Sequence, residues 1–244
     1  AAHILVNSPA YKPYIVGRGV PAHKITFIPY GTDISMFTPE VDGSAIRREL
    51  GLDDKFIVLY AGAMGQANDI YTILRAAVRL CDDPRIHFAL FGDGKEGENL
   101  RAEAHRLGLD NVTFAGAAPK TKMPAVVAAA DVCLAILQDI PGFRMTYPNK
   151  VFDHMAAGRA TILVIDGAIR DVIEASGGGV FVPPADDERL TQVIRELADD
   201  PARVKRMGEQ ARAYLVRNFD RRDKLSETLE LFQRLAGGKF ANHG

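Results

Sequence analysis

The sequence predicts a doubly wound α/β domain, a parallel sheet covered by helices on both faces. Three observations predict it. Short, wholly apolar runs alternate with stretches of helical periodicity. Strands without an in–out alternation belong to sheets buried on both sides. Several of these runs break at a glycine, where a strand has to turn into a helix. Finally, 244 residues that are 47% hydrophobic and 25% charged are globular proportions, and the chain is long enough for a full core without staples.

Along the chain, residues 4–6 read as a strand, 9–18 as a short helix and 25–28 as a second strand closed by Pro29. Two strands and a helix do not make a stable sheet alone, so residues 1–38 must pack on something else. The main sheet begins with residues 56–60, which break at Gly62 before a helical pattern over 70–80. Residues 86–91 end at Gly92 and lead into a polar helix reaching Leu107. Residues 112–115 end at Gly116, and 122–130 form a helix with Pro124 in its first turn. Residues 132–137 are the fourth strand, followed by a helix over 149–157 that Gly158 stops. Residues 161–164 and 180–182 complete the strands. Residues 186–199, 201–218 and 221–235 close the domain as helices, with Pro201 well suited to a helix start.

Composition excludes several functions. Lys and Arg number 30 against 31 Asp and Glu, a net charge of -1, which argues against a nucleic-acid-coating protein. No apolar run reaches the roughly 18 residues of a membrane span, and residues 1–7 lack the basic and apolar regions of a signal peptide. Cys81 and Cys133 both lie in apolar patterns and make no disulfide framework, so a reducing, cytoplasmic setting is expected. The six histidines show no i,i+4 pair and no zinc spacing, so no metal is expected. Walker A and G-x-S-x-G motifs are absent.

Open α/β sheets bind ligands beyond the carboxyl ends of their strands. That singles out loops 62–69, 92–98, 116–122, 138–148 and 166–170. Gly92-Asp93-Gly94-Lys95-Glu96-Gly97 matches G-x-G-x-x-G. However, the next strand ends in Gly116-Ala117-Ala118, without the acid that would hold a dinucleotide ribose, and Asp110 lies at its wrong end. A turn capped by Asp93 is the better reading. Residues 147–158 are more informative. Val151, Phe152, Met155 and Ala156 make an apolar face, while Lys150, Asp153, His154 and Ala157 share the other. A cation in a first helical turn is disfavoured by the dipole unless an anion sits there too. A diphosphate shared by Lys150 and the free N–H groups of 146–149 would supply one, and Asp153 could accept from ribose hydroxyls. On spacing alone a plain Lys150–Asp153 surface pair reads equally well. Likewise Gly62 and Gly65 permit a close backbone approach to a ligand, or form an ordinary βα turn with Asp69 as cap.

Seven motifs in order resemble the family 4 retaining glycosyltransferases, which have the GT-B fold. They are Ile25-Thr26-Phe27-Ile28-Pro29-Tyr30-Gly31-Thr32-Asp33; the Phe37 and Pro39 that follow it; Phe91-Gly92-Asp93-Gly94 with Leu100; Val112-Thr113-Phe114-Ala115-Gly116; Ala130-Asp131-Val132; Phe152-Asp153-His154-Met155-Ala156-Ala157-Gly158; and Val182-Pro183-Pro184-Ala185-Asp186. The departures are specific. The first glutamate of the family's E-x7-E falls on Met145 and the second is shortened to Asp153. The family's phosphate-binding Arg and Lys fall on Ala63 and Asn68. Pro148-x-Lys150 resembles a subgroup that replaces those cations from the other helix, with Arg144 as a second cation.

The resemblance implies a Rossmann-like, donor-binding carboxy-terminal half. Residues 1–38 would be the end of an amino-terminal acceptor domain, 39–220 the nucleotide-sugar-binding domain, and 221–244 a helix and tail crossing back. It implies a nucleotide-diphospho-sugar donor, UDP-sugar favoured, and transfer to a hydroxyl acceptor with retention, in polysaccharide or glycoconjugate synthesis. Lys150 would be the catalytic cation. Gly62, Gly65, Gln66, Arg144, Thr146, Tyr147, Asn149 and Asp153 would line the phosphate, sugar and ribose, with Gly116 and Ala117 bordering the base. No metal is expected, and any membrane contact would be peripheral. A nucleotide-sugar 2-epimerase of GT-B architecture and a non-catalytic module needing a separate acceptor chain are the alternatives.

Overall fold

A computed structural model describes residues 2–240. Strands β1 (Ile4–Val6) and β2 (Ile25–Phe27) form a separate parallel pair. The main sheet contains β3 (Phe56–Ala61), β4 (Ile86–Phe91), β5 (Val112–Gly116), β6 (Val132–Ile136), β7 (Ala160–Val164) and β8 (Gly179–Phe181). All its pairings are parallel, in the order β5-β4-β3-β6-β7-β8.

The helices are α1 (Tyr11–Val16), α2 (Ser44–Leu50), α3 (Ile70–Arg79), α4 (Gly97–Arg106), α5 (Met123–Ala128), α6 (Asn149–Ala156), α7 (Ala168–Ser176), α8 (Asp187–Asp199), α9 (Pro201–Asn218) and α10 (Arg221–Phe240). Side chains alternate along each strand, so one strand feeds two cores. Val58, Tyr60, Phe88 and Leu90 pack with Ile73 of α3, Leu100 of α4 and Ile194 of α8. Ile57, Leu59 and Ala61 pack with Val126 of α5, Val151 and Met155 of α6, and Leu215 of α9.

The predicted strands and helices are present, most within a residue or two of the expected bounds. β8 begins one residue early, and α10 runs beyond 235. α2 was not expected. Its two large apolar residues, Ile46 and Leu50, are too few to show a helical period in sequence. Cys133 is buried as its apolar run implies, whereas Cys81 is exposed. The first segment is tied down as it must be. Phe27 meets Tyr147 edge-on at 6.1 Å. Thr32 N–H donates to the Phe219 carbonyl at 3.0 Å, and Arg221 N–H donates to the Thr32 carbonyl at 3.1 Å.

Local capping supports the closing helices. Asp186 accepts from Arg189 N–H and Asp200 from Arg203 N–H, each at 2.8 Å, so both helix starts gain a partner for an orphan donor. Asp200→Ala is expected to cost about 1 kcal/mol. Thermal unfolding should record that as a Tm lower by roughly 2–4 °C, and an unchanged Tm would show that the cap adds nothing.

Candidate functional site

The strand order reverses direction at one place. From β3 the chain proceeds to β4 and β5 on one side, and from β6 to β7 and β8 on the other. The carboxyl ends of β3 and β6 therefore flank a crevice, the usual ligand position in such sheets. Gly62 follows β3, and α6 follows the loop after β6.

Lys150 lies in the first turn of α6, whose amino end no side chain caps. Its helix packs on one face of the sheet through Val151 and Met155, yet its ammonium reaches the other layer. Nζ lies 4.2 Å from the centroid of the Tyr60 ring. It comes so near the backbone at Gly62 that a Cβ built there would be 2.4 Å from Nζ. The atom is buried and has no hydrogen-bond partner. Burial pulls the Lys150 pKa down to about 8. A buried ammonium without an acceptor is costly, so its presence needs an explanation.

A hollow of about 230 Å³ opens beside it, lined by Ala61, Lys120, Asn149, Lys150, Asp153 and the linker from Gly31 to Phe37, with Arg221 at its edge. Asp153 lies one turn beyond Lys150, and its Oδ1 accepts from the Thr32 hydroxyl at 3.0 Å. Burial raises the Asp153 pKa to about 6, opposed by the Thr32 hydrogen bond and by the positive charges of Arg221 and Lys120. His154 is 1% exposed, and neither ring nitrogen has a partner. Burial, with Lys150 nearby, lowers its pKa to about 3. The helix face expected to be polar is thus turned inward. The simple surface pair is excluded: no ion pair joins Lys150 to Asp153 among the described residues, and both line the hollow.

The predicted set divides. Gly62, Lys150, Asn149 and Asp153 converge at the crevice. Gly116 stitches the neighbouring turn by accepting from Gly92 N–H at 2.8 Å, and Ala117 is exposed just after it. Gly65 and Gln66 line a different hollow, of about 220 Å³, with Asp69, Glu96 and Gln138. Asp69 precedes α3, but its carboxylate accepts no backbone N–H of the helix and takes the Thr72 hydroxyl instead. Arg144 is spent on Asp139, with two contacts of 2.9 Å. The Thr146 N–H and hydroxyl both go to the Phe143 carbonyl. Tyr147 packs against Phe27, Phe152 and Phe219 and serves the hydrophobic junction. Sequence reasoning missed Tyr60, Thr32, Lys120 and Arg221. Thr32 and Asp153 are 121 positions apart, a contact that no local pattern reveals.

An uncapped helix tip and an unpaired cation meet at the switch point of the parallel sheet of this Rossmann-like α/β domain, the place where such folds can receive an anion. The chain belongs to the family described as "Glycosyl transferases group 1", whose sequence model matches residues 42–214.

Among relatives, it is 28% identical over 218 residues to the candidate colanic acid biosynthesis glycosyl transferase WcaI of Escherichia coli K12, covering 87% of this chain and 52% of that protein. It is 25% identical over 242 residues to the alpha-galactosylglucosyldiacylglycerol synthase of Streptococcus pneumoniae, covering 96% and 61%. The chain therefore spans about half of the first relative and three fifths of the second. Among solved structures, Anabaena Alr3699/HepE in complex with UDP-glucose superimposes with a TM-score of 0.85 at 21% identity, over 96% of this chain and 64% of that one. The carboxy-terminal domain of LpcC, a group 1 family glycosyl transferase of Francisella tularensis, gives 0.66 at 18%, over 78% and 98%. These likenesses show the fold, that of a GT-B glycosyltransferase domain.

Among the described residues, no group of three or more His, Cys, Asp and Glu could hold a metal ion. No described helix is long and apolar enough to cross a membrane.

Proposed function

We propose that this chain is the donor-binding half of a retaining, family 4 glycosyltransferase that takes a nucleotide-diphospho-sugar and passes the sugar to a hydroxyl acceptor. The observation that carries the reading is the buried, unpartnered Lys150 ammonium at an uncapped helix tip beside a hollow. A diphosphate would supply the missing partner and favour the dipole. As the sugar leaves, charge builds on the β-phosphate. A preorganised ammonium and helix N–H groups stabilise that charge more than the ground state, which is what accelerates the step. Asp153 holds the ribose hydroxyls, Gly62 and Asn149 border the phosphates, and Gly116 and Ala117 border the base. The proposed chemistry uses these groups in place of a metal.

The proposed division is residues 1–38 as the end of an acceptor-binding half, 39–220 as the donor domain and 221–244 as the returning helix and tail. The share of its relatives that the chain spans supports a partner half elsewhere in the protein. A UDP-sugar is the favoured donor, supported by the ligands named for the Anabaena structure. Polysaccharide or glycoconjugate synthesis is supported by the name of the Escherichia coli relative. The proposed setting is cytoplasmic, with at most peripheral membrane contact.

A thermal-shift screen with UDP, GDP, ADP and dTDP tests the site. A bound nucleotide at 100 times its dissociation constant should add about 2.7 kcal/mol of stability. No shift with any of the four would overturn the reading. Sugar transfer with and without a supplied amino-terminal half tests whether this half needs the other.

A further inference from the structure

We propose that Tyr60 is the positioning residue for Lys150: its ring face seats the ammonium beside Gly62. This rests on the donor-site reading above.

The ring is fully buried on the α3 side of the sheet. Its centroid is 4.2 Å from Nζ, within the range where the negative ring face attracts a cation, and the attraction grows where water is excluded. Its hydroxyl donates to the Ala63 carbonyl at 2.6 Å, one residue past Gly62. A side chain added at Gly62 would meet Nζ first and the Tyr60 hydroxyl next. Ring, glycine and ammonium therefore form one stacked arrangement at the end of β3.

The role follows from what is missing. Nζ has no acceptor within reach, so an apolar neighbour at position 60 would leave a bare ammonium in a dry crevice. Such an amine either sheds its proton or swings out. The ring prevents both while leaving the N–H donors free for an incoming anion. An acidic neighbour would also hold the cation, but it would compete with a diphosphate. The other titratable or charged groups around the hollow are Asp153 and His154 on α6 itself, Lys120 before α5, Asp33 in the linker and Arg221 at the start of α10. None of them hydrogen-bonds to Nζ.

The test is calorimetric binding of UDP from pH 6.5 to 9.5, with the intact chain and a position 60 series. Tyr60→Phe keeps the ring and should bind within about twofold of wild type at every pH. Tyr60→Leu removes the face. Its affinity should stay near wild type at pH 6.5 and fall nearly tenfold below it at pH 9, because without the ring face the lysine loses its proton about a pH unit earlier. A purely structural defect would lower affinity by the same factor at all pH values.

If Tyr60→Leu fails to fold, mono-, di- and trifluorinated phenylalanine at position 60 keep the shape and drain the ring face of charge. Affinity at pH 9 should then fall stepwise with each fluorine. A flat fluorine series, or a Tyr60→Leu profile parallel to wild type, overturns the proposal while a loss in Lys150→Ala keeps the donor site. UDP affinity unchanged in Lys150→Ala, or no wild-type binding of any of the four nucleoside diphosphates, removes the donor-site reading and this proposal with it.

Discussion

Lys150→Met should make the free chain more stable and, in the same stroke, strip it of nucleoside-diphosphate affinity. The stability gain comes from removing an ammonium that is buried without a partner. A buried unsatisfied polar group costs about 1–3 kcal/mol, and methionine fills similar space without a charge. At pH 7 the Tm should therefore rise by several degrees, at roughly 2–4 °C per kcal/mol for a domain of this size. The affinity loss comes from the same atom. Removing one charge-assisted hydrogen bond costs about 1.5–3 kcal/mol, tenfold to over a hundredfold in dissociation constant.

The pH dependence separates this from general repacking. The folded-state pKa of Lys150 is lowered from 10.5 to about 8. Between those values the unfolded chain holds the proton and the folded chain does not, so this group makes stability rise with pH across that window. Below pH 8 both states are protonated and the full penalty of the buried charge is present. The Lys150→Met chain should lack that alkaline rise. Lys122→Met, which alters a surface lysine paired with Glu49 at 2.7 Å, serves as the control and should change neither property. A Lys150→Met chain that melts lower than wild type and still binds UDP normally would show that the amine is merely a packed side chain.

Which features could be read from sequence follows from the range of the interactions involved. The apolar runs marked the central strands β3, β4, β6 and β7 most clearly, because a strand covered on both faces carries no polar period, whereas the edge strands β5 and β8 are only half-buried. The placement of Lys150 at a helix tip was legible because Pro148 and the apolar period of Val151, Phe152 and Met155 set the helix start. The depth of Lys150 was not legible. It depends on Gly62 and Tyr60, some 90 positions earlier in the chain, which parallel pairing of β3 with β6 brings alongside. Arg144, expected as a second phosphate cation, meets Asp139 in the structure, and that pairing was hidden for a similar reason. Asp139 is close in sequence, but only the folded loop after β6 aims the two at each other. Tyr147 looked like a ligand residue beside Pro148, whereas the packing of Phe27 and Phe219 claims it. Short polar-flanked helices such as α2 escape periodicity altogether.

Gly92→Ala should be among the most damaging single substitutions in the domain, and Gly97→Ala among the mildest, although both alter the same G-x-G-x-x-G string. A Cβ on Gly92 would lie 1.8 Å from the Gly62 carbonyl oxygen, and its φ of 142° is one that side chains rarely adopt. The strain costs about 1–3 kcal/mol, and displacing well-packed backbone adds a comparable amount. Together these imply a Tm lower by roughly 10 °C. A Cβ on Gly97 meets only Asp93 Oδ1, at an ordinary 3.4 Å. Alanine at the start of α4 is neutral or stabilising by up to about 0.5–1 kcal/mol. The difference identifies what the glycines are for. Gly92 N–H donates to Gly116 and its Cα faces Gly62, so it lets three strand-to-helix turns close on one another. Because Gly62 is also the floor under Lys150, pushing it aside should weaken UDP binding as well. Equal damage from the two alanines would mean that the string as a whole is under a ligand-binding constraint, and binding of NAD by wild type would confirm it.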